Sequence, residues 1–479
     1  MPADPRFSVN LTTELDAPAA AERERGPFRM AILGDFSGRS ETSAGAAPVV
    51  GRRAWRVDRD DLDAAIAGIR PALRLRIMPE LDPIVISFAS IDDFHPDGLV
   101  DRVSLFRQLR GLDAAAPRPT AEPKRDLPSA NDARATAASL SGATGGSLLD
   151  DILGVQSPEP AAEAQSRPRD DLSAFIDHAV RRHLVQEPSA RERDLAAQTE
   201  ELLSAALRVL LHHPSFQAVE SLWRAIDLLV RRVETGEAAE VHLFDVTKDE
   251  VLADTAGIQQ MLMASGRPWS LFVCAHTYSP QDAPTLSSLA AVGKRLGAPC
   301  IAGASPTFAG VESFATSPDE DDWSFESTTA MDSLRQSADG SFLSLVLPRF
   351  LARESYGKRG IECERVRFEE FPPGEREHAS LLWANGAILC ALAIGARVAD
   401  GDPPPTRASI DGLPLEIATV DGEAVAIPCA EAWLGQSEVE RLLDHGLTPL
   451  ATMRDSATVI IPRIQSVAQP PRPLPIRTS

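Results

Sequence analysis

A low-complexity segment, residues 114–169, divides this 479-residue chain into two parts and constrains its fold more than any other feature. Alanine, proline, serine and aspartate dominate the segment, so it lacks the apolar surface whose burial would offset the entropy of ordering the chain. We therefore predict a flexible linker between an N-terminal segment, residues 1–113, and a C-terminal segment, residues 170–467. Residues 468–479 read as a proline-rich tail.

The N-terminal segment shows alternating strand and helix patterns. Phe7, Val9 and Leu11 alternate with polar residues, which predicts a strand with one buried face. Residues 27–33 form a largely apolar run that is typical of a buried strand. Further patterns of the same two kinds follow at residues 58–70, 84–88 and 96–109. This order predicts a small α/β unit.

The C-terminal segment carries more elements of the same two classes. Three amphipathic helices are predicted first, and His212 and His213 with the following proline end the second of them. Strand patterns then alternate with helical stretches such as residues 283–296, which favours a parallel sheet. The strand patterns lie at residues 241–246, 269–275, 298–302 and 342–347. The sequence thus predicts two α/β lobes joined by a flexible linker.

One stretch inside the linker, residues 147–153, differs from its surroundings. Ser147 would cap a helix whose apolar stripe is formed by four residues: Leu148, Leu149, Ile152 and Leu153. A helix this short is marginal alone in water, so we expect it to fold when a partner covers the stripe. The alternative is a helix that packs on the chain's own core.

Composition and charge narrow the classes of partner. The formal net charge of −21 at pH 7 argues against nucleic acid and anionic lipid, which need a basic face. No run of about 18 apolar residues suggests membrane insertion, and the N-terminus lacks the apolar core of a signal peptide. The five cysteines are scattered without a CxxC pair, as in reduced cytosolic proteins. We therefore expect a cytoplasmic protein.

Two motifs resemble parts of catalytic or phosphate-binding loops, but both are incomplete. Residues 34–38 follow a strand as a phosphate loop would, yet they match neither GxxxxGK[ST] nor GxGxxG. Residues 303–307 resemble a nucleophile elbow around Ser305. Thr307 replaces the required glycine, and Pro306 lacks the N–H that an oxyanion hole would use. A tight turn and a structural turn are the favoured interpretations.

The candidate metal patterns are incomplete as well. His212 and His213 are adjacent, so they cannot share a metal ion from one helix face. The acidic run at residues 319–322 lacks the alternating ligands and the glycine of an EF-hand, which favours a solvated loop. We therefore expect no catalytic, cofactor-binding or metal-binding residues and no cofactor. This expectation favours an assembly role, with a serine hydrolase using Ser305 as a remote alternative.

Blocks of sequence on both sides of the linker carry a family resemblance. The N-terminal segment contains RFSVN at residues 6–10, PFRMAILGDFSG at 27–38, RVDRD at 56–60 and IDDFHPD at 91–97. In order and approximate spacing it resembles the small sheath subunit of bacterial type VI secretion systems (VipA/TssB). The C-terminal segment resembles the large subunit (VipB/TssC) through LHHPSFQ at 211–217, ESLWR at 220–224, PCIAGASP at 299–306, LPRFLAR at 347–353 and WAN at 383–385.

The resemblance implies a structural component of the contractile sheath, forming or modulating the tubular polymer whose contraction propels an inner tube. The implied partners are other sheath subunits, the inner-tube protein, the baseplate and an AAA+ disassembly ATPase (ClpV). The strand of Phe7, Val9 and Leu11 would be donated to a neighbouring subunit. The ATPase would grip the short linker helix through Leu148, Leu149, Ile152 and Leu153.

Two departures from the family keep an alternative open. The family's large subunits continue well past the region matched by residues 446–450, so we expect a C-terminally shortened large subunit. The stretch 312–326, which includes the acidic segment 319–326, is divergent and acidic, which is compatible with an accessory component that caps, nucleates or regulates a sheath. The alternative is therefore a non-polymerising adaptor or regulator of the sheath or of its disassembly ATPase.

Overall fold

The computed structural model describes residues 26–41, 48–77, 82–114, 190–315, 320–372, 377–420, 423–453 and 456–477. It contains two compact units, residues 1–109 with 200–479, and residues 110–199. In the second unit, the described residues are 110–114 and 190–199, which are helical. The predicted strand of Phe7, Val9 and Leu11 lies outside the described residues. So does the predicted linker helix at 147–153, with Leu148, Leu149, Ile152 and Leu153.

Most of the strands are short, and they belong to one large sheet and several small ones. They are β1 (Phe28–Gly34), β2 (Trp55–Val57), β3 (Ala72–Leu75), β4 (Ile84–Ser87), β5 (Ala239–Asp245), β6 (Leu271–Tyr278), β7 (Cys300–Ala304), β8 (Leu343–Leu347), β9 (Phe350–Leu351), β10 (Trp383–Ala384), β11 (Ala408–Ile410), β12 (Ile417–Val420), β13 (Glu423–Ala426), β14 (Thr448–Pro449), β15 (Ala451–Thr452) and β16 (Val459–Ile461).

The helices alternate with these strands, as the sequence predicts for an α/β fold. They are α1 (Leu62–Ile69), α2 (Pro96–Arg102), α3 (Ser104–Ala114), α4 (Ala190–Leu211), α5 (Pro214–Arg232), α6 (Lys248–Ala253), α7 (Thr255–Met263), α8 (Ala283–Leu296), α9 (Thr329–Gln336), α10 (Ala387–Ala399) and α11 (Gln436–Asp444). Among the described residues, no helix combines the length and the apolar character needed to cross a lipid bilayer.

A seven-stranded sheet with the order β14-β8-β7-β6-β1-β5-β2 forms the centre of the larger unit. All neighbouring strands in it are parallel except β2, which runs antiparallel to β5 at one edge. Every residue of β1 is buried, as expected for a parallel strand covered on both faces. The predicted α/β class with a parallel sheet is thus confirmed.

The two faces of the sheet carry separate apolar layers. Along β1, Met30 and Ile32 point into one layer, whereas Ala31 and Leu33 point into the other, following the two-residue period of a strand. The first layer is closed by α4, α5 and α10 together with α1 and α2. The second layer is closed by α6, α7, α8, α9 and α11. The arrangement is a sheet with helices on both faces.

The N-terminal and the C-terminal segments contribute strands to the same sheet. β1 comes from the N-terminal segment, but both of its sheet neighbours, β5 and β6, come from the C-terminal segment. Residues 1–109 and 200–479 accordingly form one compact unit. The physical reason is that a strand buried on both faces needs hydrogen-bond partners on both edges, and β3 and β4 of its own segment pair with each other.

Local predictions agree well with the observed elements. The apolar run at 27–33 is β1, and the helix predicted at 283–296 has those bounds in the structure. The helix predicted over 96–109 is instead two helices, α2 and α3, because Val103 between them has an extended backbone with ψ of 123°. All five cysteines are free thiols, and Cys363 alone among them is half-buried rather than buried.

Candidate functional site

The joint between the N-terminal and the C-terminal segment is the candidate functional site, and β1 is its centre. β1 pairs with β5 along its whole length, from Phe28 opposite Ala239 to Gly34 opposite Asp245. On its other edge it pairs with β6 over four residues. Backbone hydrogen bonds on both sides therefore tie the N-terminal segment into the sheet.

An ion cluster holds the start of β1. The Arg29 guanidinium donates to Glu240 at 2.9 Å and to the carbonyl oxygen of Arg267 at 2.9 Å, and it lies 4.0 Å from the ring centre of Trp269. Burial raises the pKa of Glu240, but hydrogen bonds from His242, Arg267 and Arg29 outweigh it and lower that pKa to about 2. The carboxylate is therefore charged at pH 7 and holds residues of both segments.

A second ion cluster holds the turn after β1. Arg52 donates to both carboxylate oxygens of Glu250 at 2.6 Å, and Arg39 donates to Glu250 at 2.9 Å. Burial raises the pKa of Glu250, but Arg52 and Arg39 lower it to about 2 overall. Asp245, at the end of β5, accepts hydrogen bonds from the amide and the hydroxyl of Ser37. Residues 34–38, which resemble a phosphate loop in position, thus form a turn fastened to acidic side chains.

Aromatic side chains join the two segments on the α5 face of the sheet. Phe88 and Phe94 stack with their ring centres 4.1 Å apart, and Phe216 at the start of α5 meets both edge-on at 5.9 Å. Trp223 packs against Phe36 and donates its indole N–H to the Phe36 carbonyl at 3.0 Å. Both α5 residues lie in the sequence blocks 211–217 and 220–224.

A buried charge network lies behind α5. Arg353 donates to Glu220 at 2.9 Å and to Glu370 at 2.8 Å, and the side chains of the three residues are at most 4% exposed. Arg224 adds a 2.7 Å hydrogen bond to Glu220, and the Tyr356 ring lies 4.0 Å from the Arg353 guanidinium. Burial raises the pKa of Glu370, but the charge of Arg353 and hydrogen bonds outweigh it, and the result is about 2. Glu370 is therefore charged at pH 7.

A cavity of about 290 Å³ lies at the carboxyl ends of β1 and β6, where the chain switches from one side of β1 to the other. Open α/β sheets usually bind ligands at such a switch point. Here Lys248 donates to Asp282 at 3.0 Å, and Nε2 of His276 lies 3.0 Å from the Val246 carbonyl. These polar groups on the cavity wall therefore already pair with protein atoms.

The candidate catalytic and metal-binding side chains contact other groups of the protein. Ser305 follows β7, and its hydroxyl shares a hydrogen bond with the hydroxyl of Thr307. A catalytic serine would need a general base as this hydrogen-bond partner. His213 accepts the N–H of Ser215 at 3.3 Å and so caps α5. His212 stacks on Phe371 with ring centres 5.1 Å apart.

The acidic run is described from residue 320 onward. Glu320–Asp322 form a short 3-10 helix, in which Asp321 and Asp322 are exposed. The Trp323 side chain that follows is buried against Phe314. The exposed carboxylates are compatible with a solvated loop that one aromatic anchors to the core.

Sequence reasoning missed the buried charge network. Glu220, Arg353 and Glu370 are far apart in the chain, so no local spacing connects them. A signal was present nevertheless, because Glu220 falls beside Val219 on the apolar side of a predicted helix and Arg353 follows a buried apolar strand. Charged residues in such places need buried partners.

Comparisons with known proteins find a family match for each of the two segments. The model of the VipB family, described as EvpB/VC_A0108, tail sheath N-terminal domain, matches residues 193–468, more than half of the chain. A second model, described as type VI secretion system, VipA, VC_A0107 or Hcp2, matches residues 3–114. The type VI secretion system sheath protein TssC1 of Pseudomonas aeruginosa is 26% identical over 337 residues, covering 62% of this chain and 67% of that protein.

Proposed function

This chain belongs to the VipB tail sheath family of type VI secretion, and we propose that it acts as a fused small and large sheath subunit. The resemblance of each segment to a sheath subunit is confirmed by the two family matches, and a structural role in the contractile sheath follows from them. The finer proposal is that one folded unit replaces the pair of separate subunits. Its domains are the predicted ones, with residues 1–113 and 170–467 as partners in one polypeptide.

One observation carries this proposal: the strand of the VipA-like segment lies inside the sheet of the VipB-like segment. β1 is completely buried between β5 and β6, so its burial depends on the other segment being present. A covalent tether raises the effective concentration of two such partners to about millimolar. Fusion would therefore guarantee one-to-one pairing without changing the joint.

We propose that assembly uses the N-terminal strand of Phe7, Val9 and Leu11, added to the sheet of a neighbouring subunit. Strand addition supplies affinity through main-chain hydrogen bonds and specificity through alternate side chains. The wider partners are the inner-tube protein, the baseplate and, through Leu148, Leu149, Ile152 and Leu153, the disassembly ATPase. The role is mechanical rather than enzymatic, and its place is the cytoplasm.

The assembly proposal is tested by electron microscopy of the full chain, alone and co-expressed with a separate large sheath subunit. We expect tubular polymers or mixed sheath complexes for the unmodified chain. Val9→Lys places a charge on the predicted apolar face of the strand, so it should abolish polymers while leaving the folded unit intact. Ser8→Lys, on the opposite face, is the matched control and should still assemble.

Two results would count against this proposal. Dispersed particles under every condition, with and without the large subunit, would contradict a sheath subunit. Equal assembly of the Val9→Lys and Ser8→Lys variants would contradict strand donation but not the role as a sheath subunit. Replacing Leu149 with Asp distinguishes the adaptor alternative from a sheath subunit. An adaptor would lose its main interaction with the ATPase, whereas a sheath subunit would still polymerise.

A further inference from the structure

Three potential metal ligands meet where the N-terminal segment touches the loop before Phe371. A ring nitrogen of His95, a carboxylate oxygen of Asp97 and Sγ of Cys363 all lie within 4.8 Å of one another. The separation of His95 Nδ1 and Asp97 Oδ2 is 3.6 Å. In a tetrahedral zinc site, neighbouring ligand atoms are roughly 3.3–3.6 Å apart, given metal–ligand distances of about 2.0–2.3 Å. Small side-chain rotations would therefore complete the geometry.

The contacts around His95 present Nδ1 as a ligand. Nδ1 accepts a hydrogen bond from the amide N–H of Asp97 at 3.2 Å, so it carries the lone pair, and a metal ion at Nδ1 would replace this hydrogen bond. The imidazole also interacts with the backbone of Glu362, which could accept a hydrogen bond from Nε2. A metal-ligating histidine usually donates its other ring N–H to a carbonyl in this way, which fixes the ring.

The carboxylate of Asp97 is fixed in the same manner. Its Oδ2 accepts the amide N–H of Glu364, and its Oδ1 accepts the amide N–H of Arg365, each at 2.9 Å. These two amides directly follow Cys363 in the chain, so the carboxylate and the thiol are held side by side. The supporting hydrogen bonds resemble those that orient the ligands of known metal sites.

The surroundings suit a cation that arrives from solvent. The side chains of His95 and Asp97 are 24% and 16% exposed, so the ligand atoms are accessible but shielded. Exposed Glu362 and Glu364 flank Cys363 and add negative charge. The nearby cation of Arg353 is engaged by Glu220 and Glu370 within the buried network.

We propose that His95, Asp97 and Cys363 bind one zinc ion, with water as the fourth ligand. A thiolate, an imidazole and a carboxylate together favour zinc over the oxygen-preferring magnesium and calcium ions. The ion would join the start of α2 in the VipA-like segment to the loop around Cys363 in the VipB-like segment. It would thereby lock the joint of the two segments, and the free energy of unfolding would rise with the logarithm of the zinc concentration above the dissociation constant.

The test measures zinc binding by the full chain, by competition with a chromogenic chelator and by calorimetry. We expect one zinc ion per chain, and at least about a 100-fold weaker affinity for Cys363→Ser and for His95→Asn. Asn keeps a side-chain acceptor for the helix cap, so His95→Asn should remain folded. His213→Asn is the matched control, because His213 caps α5 with the same atom, also before a proline, and should bind zinc like the unmodified chain.

Cobalt(II) substitution gives an independent readout. The unmodified chain and His213→Asn should show a thiolate-to-cobalt charge-transfer band, and Cys363→Ser should lose it. Asp97→Asn provides a further variant if either of the others fails to fold. Absence of zinc binding by the unmodified chain, or undiminished binding by both Cys363→Ser and His95→Asn, would overturn the proposal. Sheath assembly plays no part in these measurements, so failure there leaves this test intact.

Discussion

Replacing Arg353 with methionine will lower the free energy of unfolding by about 3–5 kcal/mol, because two buried carboxylates lose their shared partner. Arg353 is bonded to Glu220 and Glu370, and the three side chains are at most 4% exposed. Arg353 also opposes the effect of burial on the pKa of Glu370, which in its presence is about 2. Without that charge, the pKa of Glu370 rises. Urea unfolding followed by circular dichroism gives the loss directly.

Arg231→Met is the matched control for this loss. Arg231 also pairs with an acidic residue of α5, donating to Asp227 at 2.7 Å, but its side chain is 56% exposed. Exposed pairs of this spacing contribute about 0.3–0.5 kcal/mol, so the control should lose less than about 1 kcal/mol. Equal losses of unfolding free energy in the two variants would show that burial does not determine how much the network stabilises the fold.

Replacing Ile32 with aspartate will prevent the larger unit from folding. Ile32 is fully buried in the middle of β1, opposite Leu243 of β5 and Val273 of β6. A carboxylate at that place has no partner, and its burial costs several kcal/mol or more. That cost approaches the 5–15 kcal/mol that typically separates a folded domain from its unfolded chain. Soluble yield and far-ultraviolet circular dichroism measure the result.

Two control variants test whether the loss of folding is due to the buried charge in β1. Ile32→Val keeps an apolar side chain and should cost about 1 kcal/mol. Val85→Asp places the same charge in β4 of the same segment, where Val85 is 70% exposed, and should leave the fold intact. A soluble Ile32→Asp variant with the unmodified protein's spectrum and unfolding midpoint would contradict a structural role for β1.

Local elements could be predicted from the sequence because their signals are local. The apolar run of β1 and the helical spacing of α8 each lie within one short window. Pro214 marks the boundary of α4 and α5 because its ring cannot continue a helix interior. The break between α2 and α3 at Val103 left no such mark, because apolar residues keep their helical spacing across it.

The position of β1 could not be predicted, although its existence could. Its partners lie more than 200 residues away, as the pairs of Met30 with Val241 and Leu271 illustrate. A strand buried on both faces is apolar on both, so it lacks the alternation that specifies register. The same distance hid the buried network, and it hid the approach of Cys363 to His95, which no spacing in the sequence connects.

Cleavage of the chain between its segments tests the central claim, that they fold as one unit around a shared sheet. A protease recognition sequence inserted within the predicted linker, residues 115–169, allows the purified protein to be cut after folding. We predict that the two fragments then co-elute in native size-exclusion chromatography, unfold in one transition and separate in denaturant. Fragments that elute apart in native buffer, each with its own unfolding transition, would contradict the claim.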